Sequence, residues 1–188
     1  MILQRAAQVF NRKGYFGTSI ADIMEATGLE KGGIYNYFQS KDDLALQAFD
    51  YAVDQIREEF AHAIKGKIHA IDRLQAIIGV FRKMPDGYPF EGGCPVLNTT
   101  VEADYAHPAL RQRSRQAMQE WHDFIHRIVE RGIEREEICP ESDPDAIASV
   151  LIAALEGAVV LANLYGNSAP MNHVVDHLNH YLSSLLCS

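Results

Sequence analysis

The stretch TSIADIMEATGLEKGGIYNYFQSK, residues 18–41, decides the fold. It contains two segments of about two helical turns each, 20–26 and 31–38, separated by a turn at Thr27-Gly28. Leu29 and Ile34 are placed to pack the two segments together, as in a helix-turn-helix. Helices this short are marginally stable alone, so we expect a first helix over 2–13 and the start of a fourth helix at Lys41 to brace them.

The third helix has the side chains of a helix that enters a DNA major groove. Its predicted exposed residues include no acid: Lys31, Gly32, Gly33, Tyr35, Asn36 and Tyr37. Backbone amides and tyrosine hydroxyls can donate to phosphate, and the Asn36 amide can form two hydrogen bonds with a base edge. Lys41 adds its charge at the positive end of the fourth helix, which favours a further phosphate contact.

These segments, with their flanks, resemble the head of the TetR (tetracycline-repressor-like) family of bacterial transcriptional regulators. The matching motifs keep the family's order and spacing: 14–20, Asp22-Ile23, Gly28-Leu29, Lys31-Gly32, 34–38 and 40–44. The resemblance implies a nine-helix protomer, a homodimer through helices 8 and 9, and a small-molecule pocket whose ligand releases DNA.

The same resemblance assigns roles by position in the head. Phosphate contacts fall on Thr18, Tyr35, Tyr37 and Lys41, and the residues nearest the bases are Thr27, Lys31, Gly33 and Asn36. Glu30 departs from the family pattern, because a capping serine is usual there, so we expect the third helix to lack a hydroxyl cap.

The rest of the chain also indicates an all-α protein. No long segment alternates apolar and polar residues, and nine helices account for the sequence. We predict a helix-turn-helix DNA-binding domain over 1–45 and a ligand-binding and dimerisation domain over 46–188. The net charge of −8 divides unevenly, because residues 1–41 hold five basic and three acidic side chains while the remainder is strongly acidic.

Composition excludes several classes of protein. The longest apolar run, Ala146–Ala162, is interrupted by Glu156, and the start of the chain lacks a signal-peptide pattern, so we expect a cytoplasmic protein without a membrane partner. Three cysteines without C-x-x-C spacing argue against a disulfide framework or a zinc site. No motif of a hydrolase, a phosphate-binding loop or a metalloprotease is present, so we expect neither an enzyme nor a cofactor.

Helix 8 is apolar almost all round and must be covered on every side. Either it forms the centre of a monomeric core or it joins helix 9 in a two-fold four-helix interface, and we predict the interface. The residues expected there are Leu151, Leu155, Ala158, Val175, Leu178 and Leu182. Such a dimer would space two heads by about 34 to 36 Å or a multiple, which suits an inverted-repeat operator.

An apolar pocket between helices 5 and 8 is the predicted site of an unknown small-molecule effector. Its expected lining combines aromatic and polar side chains: Tyr88, Phe90, Tyr105, Trp121 and Phe124 with Cys94, Asn98, Glu102, His122 and Asn163. The alternative for each aromatic residue is plain core. Cys94, which precedes Pro95 at a helix start, is either a thiol sensor with a lowered pKa or a small buried residue.

Histidines four residues apart permit a metal interpretation for His122 with His126, and for the set His173, His177 and His180. Surface or interface histidines are the simpler interpretation, and we predict no metal site.

Two other functions stay open. The first is a binding module that has lost DNA affinity, supported by Glu30, Gly33 and the negative charge. The second is an enzyme built on a helical bundle.

Overall fold

The computed structural model describes residues 1–103 and 107–186. Within them the chain forms nine α-helices and no strand, which confirms the predicted fold class. The helices are α1 (Ile2–Lys13), α2 (Ile20–Thr27), α3 (Lys31–Tyr35), α4 (Lys41–Ile64), α5 (Ala70–Phe81), α6 (Pro95–Ala103), α7 (Pro108–Glu134), α8 (Pro144–Tyr165) and α9 (Ala169–Ser184). A short 3₁₀ turn, Met84–Asp86, follows α5. Tyr105 lies outside the described residues.

Local side chains explain where the head helices begin and end. Ser19 and Asp22 form a reciprocal capping box at α2, with Ser19 Oγ accepting from the Asp22 N–H at 3.2 Å. Ser40 caps α4 by accepting from the Asp43 N–H at 3.0 Å. Glu30 gives α3 no side-chain cap, and α3 ends at Tyr35 rather than at the predicted residue 38. An uncapped helix with two glycines in its first turn has little intrinsic stability.

Two hydrophobic clusters hold the protein together, and α4 contributes to both. The head cluster is formed by residues of α1 to α4 together with Phe90 from the loop before α6. The body cluster begins at Phe49 and gathers apolar residues of α4 to α9. Because α4 runs without a break from one cluster to the other, it connects the packing of the head to that of the body.

The six residues predicted at the dimer interface lie inside the protomer instead. They are between 0 and 4% exposed and belong to the body cluster: Leu151, Leu155, Ala158, Val175, Leu178 and Leu182. A second chain cannot contact side chains that the protomer already covers. The prediction therefore selected the inward face of α8 and α9, and an interface on these helices must use their outward faces.

The outward face of α8 is mostly apolar, although Ser149 and Asn163 on this helix are also exposed. Its exposed residues include Val150, Ala153, Gly157, Val160, Leu161 and Leu164. By length and composition α8 alone among the described helices could cross a membrane, and 44% of its most apolar window is buried in the protein. The outward face of α9 is more polar, with His173, His177 and His180 exposed.

Candidate functional site

The head presents the surface that the sequence predicts for α3 and the turn after it. Lys31, Gly32 and Asn36 are exposed, while Tyr35 and Tyr37 are 38% and 72% exposed. Ile34 faces inward and is 1% exposed, so it anchors the helix to the head cluster. Lys31 Nζ lies 5.9 Å from the centre of the Tyr35 ring. The outward surface of α3 is therefore available to a large ligand.

Two threonines of the predicted DNA contacts use their hydroxyls internally. Thr18 is 2% exposed, and its hydroxyl donates to the Gly14 carbonyl at 2.6 Å. The Thr27 hydroxyl donates to the Ile23 carbonyl at 2.7 Å. Because Thr18 is buried, its hydroxyl is not available to a phosphate, which corrects the role assigned to it by position. Gly33 is half-buried against Leu29.

Lys41 and its neighbours join the head to the body. Lys41 Nζ lies 4.3 Å from the centre of the Tyr15 ring, and the Tyr15 hydroxyl donates to the Asp42 carboxylate. Burial and then the Asp42 hydrogen bond raise the pKa of Tyr15 to about 12. His107, at the start of α7, packs edge-on against the Tyr15 ring at 4.7 Å. The Tyr15 ring is thus held from both the head and the body.

Glu102 of α6 fastens the body to the turn between α1 and α2. Its carboxylate accepts from the backbone N–H of Tyr15 at 2.7 Å and from that of Phe16 at 2.8 Å. Gly14 lies directly against this carboxylate: a Cβ there would be 2.6 Å from Glu102 Oε1, and the residue has a φ of +76°. Glycine is therefore required for the close approach.

A second set of polar contacts holds α1 against the loop before α6. Asn98 Nδ2 donates to Asn11 Oδ1 at 2.9 Å and to the Gly92 carbonyl at 3.0 Å. Asn11 Nδ2 in turn donates to the carbonyls of Glu91 and Gly93 at 2.8 and 3.0 Å. Asn98 and Glu102, which we predicted to bind a ligand, instead connect the body to the head.

An open groove of about 980 Å³ lies between α6, α7 and α8. Its lining is Leu97, Thr100, Arg111, Ser114, Arg115, Met118, Gln119, His122, Ser149, Ile152, Ala153, Glu156, Gly157, Val160 and Leu161. A mostly apolar concave site of this size suits a small organic molecule. Four of these residues, Ala153, Gly157, Val160 and Leu161, also belong to the exposed face of α8.

Of the predicted effector residues, His122 alone borders this groove among those that the structure describes. Tyr88 is on the surface and donates its hydroxyl to Glu59, while Phe90 belongs to the head cluster. Trp121 and Phe124 border a smaller cavity of about 360 Å³ between α4 and α7. The Asn163 side chain donates to the Gly92 carbonyl at 3.3 Å. Aromatic side chains pack mainly into the core, so they were poor markers of the groove.

Glu156 is the residue that the sequence interpretation missed. It is 5% exposed, borders the groove from α8, and burial raises the pKa of its carboxyl group to about 7. The available signal was one acid in the otherwise apolar run 146–162.

Cys94 is the neighbour of Glu156 and is fully buried. Burial and then the Glu156 charge raise the pKa of the Cys94 thiol. A raised pKa opposes the thiolate that a reactive sensor needs, so the buried alternative is favoured for Cys94.

The histidine pair on α7 faces a carboxylate. His122 Nε2 and His126 Nε2 lie 3.9 and 3.8 Å from Asp145 Oδ1. The residues that the structure describes contain no group of three or more side chains arranged to hold a metal ion. His173, His177 and His180 follow one another along the exposed face of α9.

Comparison with known proteins agrees with this architecture. Residues 2–48 match the pattern of bacterial regulatory proteins of the tetR family, and residues 70–178 match the tetracyclin repressor-like C-terminal domain. Among solved structures, a TetR transcriptional regulator from Chloroflexus aurantiacus is 47% identical with a TM-score of 0.93, covering 97% of this chain and 92% of that one. A TetR-family regulator from Cytophaga hutchinsonii is 34% identical with a TM-score of 0.90, covering 100% of this chain and 94% of that one.

Curated relatives are more distant but extend over most of both chains. The HTH-type transcriptional repressor DhaR of Mycobacterium sp. strain GP1 is 24% identical over 172 residues, 91% of this chain and 85% of DhaR. The HTH-type transcriptional regulator LmrA of Bacillus subtilis strain 168 is 26% identical over 174 residues, 92% of this chain and 90% of LmrA. The chain therefore belongs to the TetR family of transcriptional regulators, which bind DNA through a helix-turn-helix and typically respond to a ligand.

Proposed function

We propose that this protein is a cytoplasmic, homodimeric repressor that binds an inverted-repeat operator and releases it when a small molecule occupies the groove. The observation that carries the proposal is the position of α6. This helix contributes Leu97 to the groove, while its Asn98 and Glu102 side chains contact the head. A ligand in the groove therefore touches the same helix that positions the head.

The proposed DNA contacts lie on and beside α3. Lys31, Gly32, Gly33 and Asn36 would lie nearest the bases with Thr27 at the turn, and Tyr35, Tyr37 and Lys41 would contact phosphates. Asn36 is exposed and its amide can pair with a base edge in two places. Thr18 stays in the proposal only as the residue that fixes the turn after Gly14, because its hydroxyl is already bonded.

The proposed dimer uses the outward face of α8. Val150, Ala153, Gly157, Val160 and Leu164 would be covered, with the histidines of α9 beside them. A continuous exposed apolar face is uncommon in a monomer and is typical of a contact surface. Small residues in the middle of the stripe let two helices approach closely. Because α8 also borders the groove, the second protomer would partly cover the groove's open side.

Release would follow from a shift between two orientations of the heads. A ligand that binds more tightly to the protein with α6 displaced stabilises that head orientation, by an amount set by the difference between its affinities for the two orientations. Operator DNA stabilises the opposite orientation. The division into a head of 1–45 and a body of 46–188 is part of this proposal, with α4 as the connecting element. Ion pairs from Arg57 to Glu120 at 2.7 Å and from Arg113 to Asp50 at 2.6 Å join α4 to α7.

A binding module without DNA affinity is the second candidate. It is supported by the lack of a side-chain cap from Glu30 at the start of α3 and by the net charge of −8. An enzyme is less favoured. Cys94, the nucleophile considered for it, is buried with a raised pKa. Neither alternative explains why the contacts between α6 and the head are so closely fitted around Gly14.

Enrichment of genomic DNA fragments by the purified protein near 0.15 M salt tests the proposal. Tyr35→Ala and Asn36→Ala serve as variants, and Glu130→Gln, an exposed position on α7, serves as the control. We expect the wild type and the control to recover one inverted repeat that neither head variant recovers. Recovery of no fragment, or of the same fragments by the head variants, would favour the protein-contact module.

A further inference from the structure

Two residues that border the groove carry buried polar atoms without a partner in hydrogen-bond geometry. Among the described residues, six buried side-chain nitrogen or oxygen atoms lack a hydrogen-bond partner, and three of them belong to residues of this groove. They are Ser114 Oγ from α7 and both carboxylate oxygens of Glu156 from α8. The neighbouring Cys94 thiol is the one hydrogen-bonding group that the protein offers to the Glu156 carboxyl group among the described residues. A thiol is a weak donor, and buried polar groups are nearly always hydrogen-bonded in folded proteins, so the carboxyl group keeps acceptor capacity for a stronger donor.

Much of the remaining lining is apolar. Half-buried Leu97, Met118 and Ile152 and exposed Val160 border the same groove and offer no directional contact, while half-buried His122 is a further polar residue of the lining. A site of this type holds a ligand by burying its apolar body and orients it through the few polar groups. Glu156 and Ser114 are therefore the groups that would select among ligands of similar shape.

We propose that the groove takes an amphipathic amine, whose apolar body lies on α6, α7 and α8 and whose ammonium group donates to the Glu156 carboxylate, with Ser114 Oγ as a further acceptor. This inference rests on the groove being the effector site proposed above. An ammonium fits better than a neutral hydroxyl for two reasons. It can donate to both carboxylate oxygens at once, and it supplies the opposite charge that a buried carboxylate needs.

The charged surroundings are compatible with a cation at the buried end. Arg111 and Arg115 border the groove, but both are exposed, so solvent screens their charge from the Glu156 side of the cavity. Cys94 is the neighbouring titratable group before α6, and burial, by raising the pKa of its thiol, keeps it neutral. In the unliganded protein burial likewise raises the pKa of Glu156 and favours its neutral carboxyl form. An ammonium partner would favour the ionised form.

Isothermal titration calorimetry at pH 7.5 with four probes on one scaffold tests the proposal. The probes are 2-naphthylmethylamine, 2-naphthylmethanol, 2-methylnaphthalene and 2-naphthoate. The proteins are the wild type, Glu156→Gln, Ser114→Ala and the control Glu130→Gln. Because the four probes share one apolar body, their ranking on the wild type tests the ligand class even without a variant.

We expect the amine to bind the wild type at least tenfold more tightly than the alcohol or the methyl compound, with the naphthoate weakest. Glu156→Gln should lower the affinity for the amine by at least tenfold and remove its advantage over the alcohol. Ser114→Ala should weaken the amine by a few-fold, and Glu130→Gln should leave it unchanged. Equal or tighter binding of another probe, or no binding of the amine, overturns the proposal. The amine would also fail to bind if a second protomer filled the groove.

Addition of the same probes to the complex with enriched DNA separates this inference from the proposed function. If the amine binds through Glu156 and leaves DNA bound, the amine site stands and the effector role of the groove fails. If a compound of another class releases DNA equally well from the wild type and from Glu156→Gln, the regulator stands and the amine site fails.

Discussion

Glu102 on α6 accepts a hydrogen bond from the backbone N–H of Tyr15 at 2.7 Å, across the boundary between body and head. The second oxygen of the same carboxylate accepts from Phe16 at 2.8 Å. The turn that leads into α2 is therefore held by one side chain from a helix that also borders the groove. A displacement of α6 must either move this turn or break both hydrogen bonds.

Glu102→Gln should loosen the turn without unfolding the protein. Glutamine has one acceptor oxygen, so it can keep one of the two hydrogen bonds and places an amide group against the other N–H. We expect a decrease of about 1–3 kcal/mol in the free energy of unfolding, as is usual when a hydrogen bond to a charged group is removed. Hydrogen exchange at the amides of Tyr15 and Phe16 should become faster. Unchanged exchange at both amides would show that Glu102 does not hold the turn.

Substitution of Gly33 by alanine should stabilise α3. A Cβ at this position would meet Leu29 side-chain atoms at 3.7 Å, an ordinary contact, and alanine favours a helix over glycine. We expect an increase of about 0.5–1 kcal/mol in the free energy of unfolding, measured in urea. Gly14→Ala is the matched contrast and should destabilise, since its Cβ would meet the Glu102 carboxylate. Destabilisation by both substitutions would mean that α3 is packed more tightly than the structure indicates.

Stability should depend on pH through Glu156. Its pKa is raised from 4.5 to about 7 in the folded protein, so the folded state binds this proton more tightly than the unfolded state. This contribution to stability is therefore largest below about pH 4.5, and it falls as the pH rises to about 7. The difference is on the order of 3 kcal/mol, at about 1.4 kcal/mol per pH unit.

Urea unfolding of the wild type and Glu156→Gln between pH 5 and pH 8 measures this effect. The variant should lack the decline and should exceed the wild type in stability at pH 8. The comparison between the two proteins cancels the contribution of other acids such as Asp22, whose pKa is lowered by hydrogen bonds from Lys13 and Ser19. Parallel pH profiles for the two proteins would contradict the burial of the Glu156 carboxyl group without a cationic partner.

Leu164→Arg should separate the proposed dimer into monomers. Leu164 is 72% exposed on the outward face of α8, so a charge there would be buried without a partner in the dimer but would be solvated in the monomer. Sedimentation velocity should report a dimer for the wild type and a species of 21.0 kDa for the variant. Glu130→Arg, an exposed substitution on α7, is the control. A dimer that survives Leu164→Arg would place the interface elsewhere.

The parts of the fold that depend on local chemistry were predictable from the sequence. The predicted first helix over 2–13, the second from residue 20 and the fourth from Lys41 agree with α1, α2 and α4, because Gly14 follows the end of α1 and the Ser19 and Ser40 side chains cap the other two. The end of α3 was not predictable in this way, because an uncapped helix with two glycines extends only as far as its packing supports it.

The inward face of α8 could not be deduced from periodicity, since apolar residues surround the helix on all sides. The same limit explains why most of the residues predicted to bind an effector do not border the groove. The groove is formed by aliphatic and small residues from α6, α7 and α8, whose proximity arises only in the folded chain. Glu156 was the exception, because a single acid in an apolar helix is visible in the sequence.

The dependence of DNA affinity on salt tests the central claim most directly. On a fragment recovered by enrichment, the logarithm of the association constant should fall linearly with the logarithm of salt concentration. Lys41→Ala should reduce the steepness of that line by about 1.8 per dimer, because each phosphate that a lysine neutralises contributes about 0.9 to the slope. Asn36→Ala should weaken binding at every salt concentration without changing the slope. Affinity that does not vary with salt, or a slope that Lys41→Ala leaves unchanged, would contradict DNA binding through this head.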